Sequence, residues 1–476
     1  MSQPSSGGDG EEEVAAEEIG RVGNLPDDIL HHILSLLADT KTAVQTSLIS
    51  KRWRHLWKDV PVLNLDQNSF PSGEGYRTFV RNLLHHRSNQ TTIDRLSFTA
   101  RGMDIESFHM VLDHAGRTGR LLRALSVRHS CVVSRYRNMV ASIVRHKLHE
   151  SLEDLELTGF RIVVDHDVIQ GGGFRMLKAL SLTVCFSVDL GVALSCFGGG
   201  MLTTLELRGC WLNFYDGDDD PFAVLPCLKS LKLLDCRMTV RSTSLVGFKV
   251  SGLQLRELEI RYMFLIGSFA VSEVLAPKLE SFRCTGLVSR IEGLRELNFP
   301  SLVRASSEST YWQSRFCDME ALIRNEVSRF TGLDDFRAFC LFLFRDGGDD
   351  PFADLPRLEC LKVINCVSTS RVVKVSGLRL PSLQIDNADG FGIGELLAPR
   401  LESFCYSSCV VRLLELRPLN LPSLGRASVR LKHICGLSDE QARRAVMSLL
   451  RGLCNAKSLR LMFRRYASEV GKLSLN

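Results

Sequence analysis

A nine-residue pattern, LxxLxLxxC, recurs through the middle of the chain and constrains its fold more than any other feature. It occurs as LEDLELTGF from Leu152, LKALSLTVC from Leu177, LTTLELRGC from Leu202 and LKSLKLLDC from Leu228, at intervals of 25 or 26 residues. LRELEIRY from Leu255 and LESFRCTGL from Leu279 continue the series. Alternating leucines place apolar side chains on one face of a strand. Each unit therefore predicts one strand, and the regular interval predicts that successive strands are stacked in parallel.

The interval, 24 to 27 residues over the whole series, lies within the period of leucine-rich repeats, where each unit adds one strand to a curved parallel sheet. We therefore predict an irregular solenoid of the α/β class. The last position of the pattern turns inward to meet the neighbouring unit, and we interpret the cysteines that occupy it as buried, reduced, structural thiols. They are Cys185, Cys210, Cys236, Cys366 and Cys409.

A longer repeat is superimposed on the first. DGDDDPFAVLPCLKSLKLLDC from Asp216 returns as DGGDDPFADLPRLECLKVINC from Asp346, an offset of 130 residues. VSGLQL from Val250 returns as VSGLRL from Val375, an offset of 125. Residues 216–306 have therefore been duplicated, as a solenoid tolerates because each unit touches only its neighbours. The pattern is damaged at the join, where we expect an irregular segment with a candidate helix at 319–328.

The chain before residue 66 has a helical pattern instead. In LPDDILHHILSLL, Pro26 suits the first position of a helix, and Asp27 and Asp28 lie where the helix dipole favours negative charge. Apolar residues then recur every three or four positions. Residues 39–50 predict a second short helix, and KRWRHLWKDV from Lys51 predicts a third.

The third helix combines a basic run with two of the four tryptophans in the chain. Trp53, Leu56, Trp57 and Val60 form one apolar stripe. The modest net charge of +5 and pI of about 8.5 disfavour a nucleic-acid helix, and the stripe is short for a membrane-surface helix. Two interpretations stay open: the tryptophans complete a local three-helix core, or they bind in a groove of a partner protein. About forty residues rarely fold alone, which favours the partner.

Residues 24–66 resemble the F-box of plant F-box proteins with leucine-rich repeats, since LPDDIL, TSLISKRW and a closing LW match in order and spacing. LAPxLESF and LLRGLCNAKSLRL from Leu449 resemble the repeats of that family, including its FBD-like members. The resemblance implies a docking module for a Skp-type adaptor, with cullin and RING subunits as indirect partners, and repeats that select a target protein. It also implies these adaptor-binding residues: Leu25, Pro26, Ile29, Leu30, Ile33, Val44, Leu48, Ser50, Trp53 and Trp57.

The predicted organisation follows from these patterns. It consists of a disordered acidic tail (1–20), the F-box (21–66), a connecting helical segment (67–120), a first block of repeats (121–306), an irregular join (307–345), duplicated repeats (346–437) and a C-terminal helix and cap (438–476). A leader-like or membrane-spanning apolar stretch is not visible in the sequence, so we expect a cytoplasmic or nuclear protein without a membrane or nucleic-acid partner.

Motifs for catalysis are missing from the sequence, including GxSxG, HExxH and the Walker sequence. The aspartates at 216–220 do not match a calcium loop, and the glycines at 171–173 and 198–200 match no phosphate-binding pattern. We therefore expect a non-catalytic protein without a cofactor or metal. The resemblance implies, in addition, that it is the substrate-recognition subunit of an SCF-type ubiquitin ligase. Two alternatives stay open, a receptor whose small ligand completes the target surface and a ligase-independent F-box scaffold.

Overall fold

The computed structural model describes residues 25–87, 91–100, 105–117, 122–129, 139–162, 164, 173–186, 188–198, 200–215, 220–240, 247–261, 264–265, 270–285, 301–308, 335–339, 342–343, 357–364, 367–368, 372–386, 392–409, 417–433 and 439–465. The chain divides into two compact units. Unit 1 comprises Met1–Val188 and Ser195–Leu202, and unit 2 comprises Asp189–Leu194 and Thr203–Asn476.

Unit 1 begins with the short helices that the sequence predicts. Its helices are α1 (Asp27–Ser35), α2 (Thr40–Gln45), α3 (Trp53–Leu56), α4 (Gly73–His86), α5 (Ile105–Arg117) and α6 (Met139–Arg145), with 3-10 turns at Thr46–Leu48, Trp57–Asp59, Gln67–Ser69 and Leu148–Glu150. Pro26 is the residue before α1 rather than its first helical residue, because its backbone is extended and its carbonyl accepts from Leu30 N–H. Asp39 caps α2 by accepting from Thr42 N–H at 2.7 Å.

The strands of unit 1 are β1 (Val62–Asp66), β2 (Arg95–Ala100), β3 (Ala124–His129), β4 (Asp154–Thr158) and β5 (Ala179–Thr183). They pair in parallel and in chain order, so Leu65, Phe98, Val127 and Leu157 share one row of the inward face. The helices α4, α5 and α6 lie between successive strands in the chain. The sheet thus begins earlier than predicted: β1 lies inside the predicted F-box and β2 inside the segment predicted to be helical, because LSFTA alternates as a strand does.

Two elements fall where the division between the units crosses the chain, β6 (Val188–Asp189) and α7 (Leu190–Phe197). The later elements are β7 (Thr204–Arg208), β8 (Trp211–Phe214), β9 (Ser230–Leu234), β10 (Arg237–Val240), β11 (Gly247–Ser251), β12 (Glu257–Arg261), β13 (Phe264–Leu265), β14 (Ala270–Leu275), β15 (Ser281–Thr285), β16 (Arg304–Glu308), β17 (Asp335–Phe339), β18 (Phe342–Leu343), β19 (Cys360–Ile364), β20 (Val367–Ser368), β21 (Val372–Ser376), β22 (Ser382–Asp386), β23 (Gly392–Leu397), β24 (Ser403–Cys409), β25 (Arg426–His433), α8 (Asp439–Gly452) and β26 (Ser458–Arg465).

The main sheet of unit 2 is parallel throughout, in the order β7-β9-β12-β15-β16-β17-β19-β22-β24-β25-β26. Every leucine of the pattern is buried in the units that start at 152, 177, 202 and 228. Burying a leucine contributes roughly 1.5 to 3 kcal/mol relative to exposure, so these rows stabilise the stack. The parallel solenoid predicted from the leucine pattern is confirmed.

The duplication is visible in a second layer of short strands. β11 pairs with β14 and β21 pairs with β23, and each pair has an irregularity at the same point, before Lys249 and before Lys374. Each lysine binds a glutamate of the paired strand, Glu273 at 3.0 Å and Glu395 at 3.2 Å. The two copies therefore preserve backbone register and an ion pair as well as sequence.

A left-handed residue follows the strand in four successive units, a feature that the sequence pattern does not mark. These residues are Gly159, Val184, Gly209 and Asp235, with φ between 51° and 85°. The Gly209 N–H donates to Leu234 O at 2.7 Å, and the Asp235 N–H donates to Arg261 O at 2.7 Å. At these two positions the turn therefore links one repeat to the next, and it directs the side chain of the following residue inward.

The predicted irregular join contains a strand that pairs regularly with its neighbours. β17 lies in the predicted irregular join, yet it pairs in register with β16 and β19, so strand pairing continues there without the leucines. The candidate helix at 319–328 and Cys340 lie outside the described residues. The predicted C-terminal helix and strand are present as α8 and β26. Leu459 and Phe463, on the inward face of β26, are 44% and 59% exposed, so the apolar face of this strand remains partly open to solvent.

Candidate functional site

Helix α1 has two apolar stripes. Leu30 and Leu34 are buried, whereas Ile29 and Leu36 are exposed and Ile33 between them is half-buried. A helix turns about 100° per residue, so the two stripes lie roughly a quarter of a turn apart. One stripe packs into the protein and the other faces outward.

The inner stripe belongs to a small core that contains part of the tryptophan stripe. Its members are Leu30, Leu34, Ala43, Trp53, Leu56 and Val60, with Leu25, Ile33, Leu37 and Val62 packed at its margin. Trp57 is buried too, and the turn that contains it contacts α1. The interpretation in which Trp53 completes a local core is therefore confirmed.

The ten residues predicted to bind an adaptor fall into three groups. Leu30, Trp53 and Trp57 are buried inside the chain, with exposed fractions of 0%, 6% and 8%. Leu25, Ile33 and Val44 are half-buried, and Pro26, Ile29, Leu48 and Ser50 are exposed. Three of the ten thus lie in the interior, and the other seven are half-buried or exposed.

The exposed large apolar residues of these helices form a set that we call the apolar surface: Ile29, Leu36, Leu48 and Ile49, exposed by 46%, 71%, 87% and 50%. The set predicted from the sequence does not include Leu36 and Ile49. Leu36 follows Ile29 by seven positions, a helical spacing that would have found it. Ile49 follows a 3-10 turn, whose different period hides it from that pattern.

One arginine of the basic run, Arg52, links two of the N-terminal helices. The Arg52 guanidinium donates to Asp27 Oδ1 at 2.6 Å and to the Leu25 carbonyl at 2.5 Å, which ties the start of α3 to the start of α1. The Lys58 ammonium lies 5.9 Å from the centre of the Trp57 ring. Arg54 and His55 are exposed. One arginine of the run is thus a structural link, and its neighbours face solvent.

Part of the cover for these helices comes from the chain itself. The Asn64 N–H donates to Thr40 Oγ1 at 2.8 Å, and the Asn64 side chain donates to Leu37 O at 3.2 Å. Lys41 donates to Ser69 O at 2.8 Å and lies 4.7 Å from the centre of the Phe70 ring. The strand β1 and the turn after it therefore supply some of the contacts that hold these helices in place.

Arg87 adds a buried contact to the same region. It donates to the Val60 carbonyl at 2.5 Å, and burial lowers its pKa to about 10 although Asp59 acts in the opposite direction. Burial of a guanidinium costs free energy unless the group is hydrogen-bonded. The bond to the Val60 carbonyl satisfies part of that need, and it links Arg87 to the segment that follows the N-terminal helices.

The outward face of the unit 1 sheet carries paired charges around a cavity of about 420 Å³. Its lining includes the small residues Ser97, Ala124 and Ser126 together with charged residues. The Arg128 guanidinium binds Glu156 at 3.0 Å, and Ser126 Oγ donates to Glu156 at 2.8 Å. Burial acts against the charged form of Glu156, but these bonds outweigh it and lower its pKa.

Ion pairs also lie on or beside the first strands of unit 2. Arg208 binds Glu206 at 2.8 Å, Arg261 binds Asp235 at 3.3 Å, and Arg256 binds Glu280 at 2.7 Å. Arg208 and Arg261 lie at outward positions of β7 and β12, strands whose alternate residues are buried. The structure gives both arginines a carboxylate partner.

The cysteines at the end of the pattern are buried where the structure describes their side chains. Cys185 Sγ lies 3.5 Å from Leu157 O, and Cys236 Sγ lies 3.2 Å from Leu207 O, so each thiol meets the backbone of the preceding unit. The hydrogen bond with Cys210 and burial raise the pKa of Cys236 far above its usual value. A protonated buried thiol is a poor nucleophile, which supports the structural assignment. Cys366 and the Cys409 side chain lie outside the described residues.

The other sequence candidates give no evidence of a site. Asp220 accepts from Ser251 Oγ at 2.6 Å, while residues 216–219 and 346–350 lie outside the described part of the chain. A metal-binding cluster of histidine, cysteine or acidic residues does not occur among the described residues. Gly173 is left-handed, and a side chain there would collide with the Cys196 carbonyl, so packing accounts for this glycine.

Comparisons with known proteins bear on these helices directly. The F-box domain model matches residues 23–65. The chain carries an F-box. F-box/LRR-repeat protein 25 of Arabidopsis thaliana is 51% identical over 45 residues, 10% of this chain and 17% of the relative. An FBD-associated F-box protein of the same plant is 36% identical over 103 residues, 22% of this chain and 21% of the relative.

A second Arabidopsis thaliana FBD-associated F-box protein extends the likeness beyond the F-box. It is 28% identical over 250 residues, 50% of this chain and 54% of the relative. The predicted resemblance to plant F-box proteins with leucine-rich repeats is confirmed. The chain spans about half or less of the length of these relatives. Among the described residues, the helices are all too short or too polar to cross a membrane.

Proposed function

We propose that this chain is the substrate-recognition subunit of an SCF-type ubiquitin ligase. Its F-box binds a Skp-type adaptor, through which cullin and RING subunits are reached, and its repeats bind a target protein. F-box proteins with leucine-rich repeats generally act as non-catalytic receptors of this kind. The ligase accelerates transfer by holding the target near the ubiquitin-charged enzyme.

One observation carries the proposal: four large apolar side chains are exposed on the short helical segments of the F-box or directly after them. Leu48 and Leu36 are the most exposed of them. Large apolar side chains that are exposed together in one small module typically mark a surface that binds another protein. Polar neighbours such as Ser50 and Arg54 suit the rim of such an interface.

The buried residues of the predicted set have an indirect role in this proposal. Trp53 and Leu30 hold α1 and α3 together, so they position Ile29 and Leu48 for the adaptor. The adaptor-binding set that we propose is therefore Leu25, Pro26, Ile29, Ile33, Leu36, Val44, Leu48, Ile49 and Ser50, supported by Leu30, Trp53 and Trp57.

A pull-down of the full-length chain with a purified Skp-type adaptor tests the proposal. We expect a double variant, Ile29→Glu with Leu48→Glu, to lose adaptor binding by a hundredfold or more, because two charges would face an apolar groove. A matched control is Leu253→Glu with Leu378→Glu, which changes two leucines of the repeats that are similarly exposed.

Retained binding in the repeat variant together with loss in the F-box variant supports the docking surface. If both double variants bind the adaptor as the wild type does, the apolar surface is not the docking site. Circular dichroism of each variant verifies that its helices are intact.

A second candidate function has one observation in its favour. The cavity on unit 1 is large enough for a small molecule, and its lining combines Arg95 and Arg128 with Asp154 and Glu156. A receptor whose polar ligand completes the target surface would use such a cavity. A thermal-shift screen with polar metabolites tests it, with Ser126→Phe as the variant that fills the cavity and must abolish any shift.

A further inference from the structure

Three arginines lie close together on the outward face of the last two strands. Arg426 and Arg430 are on β25, and Arg460 is on β26. The register pairs Ser428 with Arg460, so Arg460 lies beside the serine that separates the other two. With about 3.3 Å per residue along a strand and about 4.8 Å between strands, each β25 arginine is roughly 8 Å from Arg460 between Cα atoms. All three side chains are exposed and long enough to converge over Ser428.

None of these three arginines has a carboxylate partner in the part of the chain that the structure describes. Arg128, Arg208 and Arg256 are each bound to a glutamate. Glu402 lies just before β24, and no ion pair links it to Arg426 among the described residues. The positive charge of these arginines is therefore not neutralised by an ion pair with any residue that the structure describes.

The strands beside the arginines carry short side chains. The register places Ser403 beside Arg426 and Cys405 beside Ser428. Next to them, β22 contributes Ser382 and Gln384, with Asp386 as the acidic residue in its last position. Short side chains next to long cationic ones leave room for an extended chain to lie across the strands. The pKa of Cys405 is raised, by burial first and then by Asp386, so its thiol is a neutral part of this floor.

We propose that this arginine surface binds an acidic segment of the target protein, either a run of carboxylates or a phosphorylated residue. Guanidinium groups bind both anions through paired hydrogen bonds. A nucleic acid fits less well, because the adjoining β22 carries Asp386, whose charge opposes phosphate groups. The proposal deepens the proposed function, since it names the chemistry of the target, but binding of the segment does not itself require an adaptor.

Fluorescence anisotropy with the full-length protein tests this inference. The probes are three labelled peptides of equal length, with a central run of glutamates, a central phosphoserine among glutamines, or glutamines alone, and a single-stranded DNA of similar charge. The test variant is Arg426→Gln, Arg430→Gln, Arg460→Gln. The control variant is Arg208→Gln, Arg256→Gln, Arg283→Gln, which removes the same charge from arginines that already have glutamate partners.

We expect the wild type to bind one or both anionic peptides and not the glutamine peptide, with affinity falling as salt rises. The test variant should bind about tenfold more weakly, as the loss of three exposed ion pairs predicts, and the control variant should change by less than about twofold. Preference between the two anionic peptides identifies the source of the charge.

Three results would overturn the inference: equal weakening in both variants, which would show an effect of net charge alone; tighter binding of the DNA with the same variant dependence; or no binding of either anionic peptide. The test variant should still bind the Skp-type adaptor. A failure here and a failure of the docking surface are therefore separate observations.

Discussion

The N-terminal helices and the repeats solve the problem of burying apolar residues differently. The helices are short, and while Trp53 and Leu30 are buried, Leu36 and Leu48 remain largely exposed. The repeats bury the leucines of their pattern, and their outward faces are mainly polar or charged, as at Glu156. A module of about forty residues is too small to bury all of its apolar side chains. In a stack, by contrast, each added repeat buries the apolar side chains of its neighbour.

This contrast predicts different consequences for apolar substitutions within the helices. Trp53→Ala should lower the free energy of local unfolding by about 3 to 5 kcal/mol, because it leaves a cavity in a small core. Leu48→Ala should change it by less than about 0.5 kcal/mol, because that side chain is 87% exposed. Amide hydrogen exchange in α1 measures both. Similar small effects for the two variants would mean that Trp53 is a surface residue and would remove the contrast.

The repeats should instead be sensitive at their left-handed turn. Val184 occupies this position with φ 51°, which is unfavourable for a β-branched residue, while Gly209 occupies the equivalent position after β7. Val184→Asn should raise stability by about 1 kcal/mol, and Gly209→Val should lower it by about 1 to 2 kcal/mol or more. Urea denaturation followed by circular dichroism gives both values. Opposite signs support a requirement of the backbone, and a loss of stability in both variants would point to side-chain packing instead.

The smallest expected effect distinguishes two arginines of the basic run. Arg52→Ala should lower the free energy of local unfolding by about 0.5 to 1 kcal/mol. The substitution removes the hydrogen bonds to Asp27 and to the Leu25 carbonyl, which involve side chains that are about half exposed. Arg54→Ala should cost close to nothing, because Arg54 is exposed. Hydrogen exchange at the start of α1 reports on both. Equal protection in the two variants would show that the Arg52 link does not stabilise the helices.

The sequence predicted the repeats well because the signal is local. Leucines that alternate within five residues define a strand face without reference to the rest of the chain, and Leu205 and Leu207 are buried as that pattern requires. The helix starts were equally local, since Asp27 and Asp39 are next to the residues that they stabilise. The early start of the sheet was missed because β1 and β2 precede the first full copy of the pattern.

The surfaces could not be predicted in the same way. Whether Trp53 faces inward or outward depends on how three short helices pack, and helical spacing alone does not distinguish the two faces. The arginine surface depends on a partner 32 positions away, since Arg460 lies beside Ser428 only through the register of β25 and β26. The lengths of the intervening segments decide that register, and they vary along the chain.

The amino-acid sequence by itself determined that this chain has an F-box followed by a parallel stack of repeats, one part of it duplicated. Short-range periodicity encodes these features, because hydrophobic burial acts on neighbouring positions of one element. Only the tertiary structure decided which apolar residues of the F-box remain exposed, and which arginines have carboxylate partners. Both depend on contacts between elements that are distant in sequence, where small differences in packing decide which side chains reach solvent.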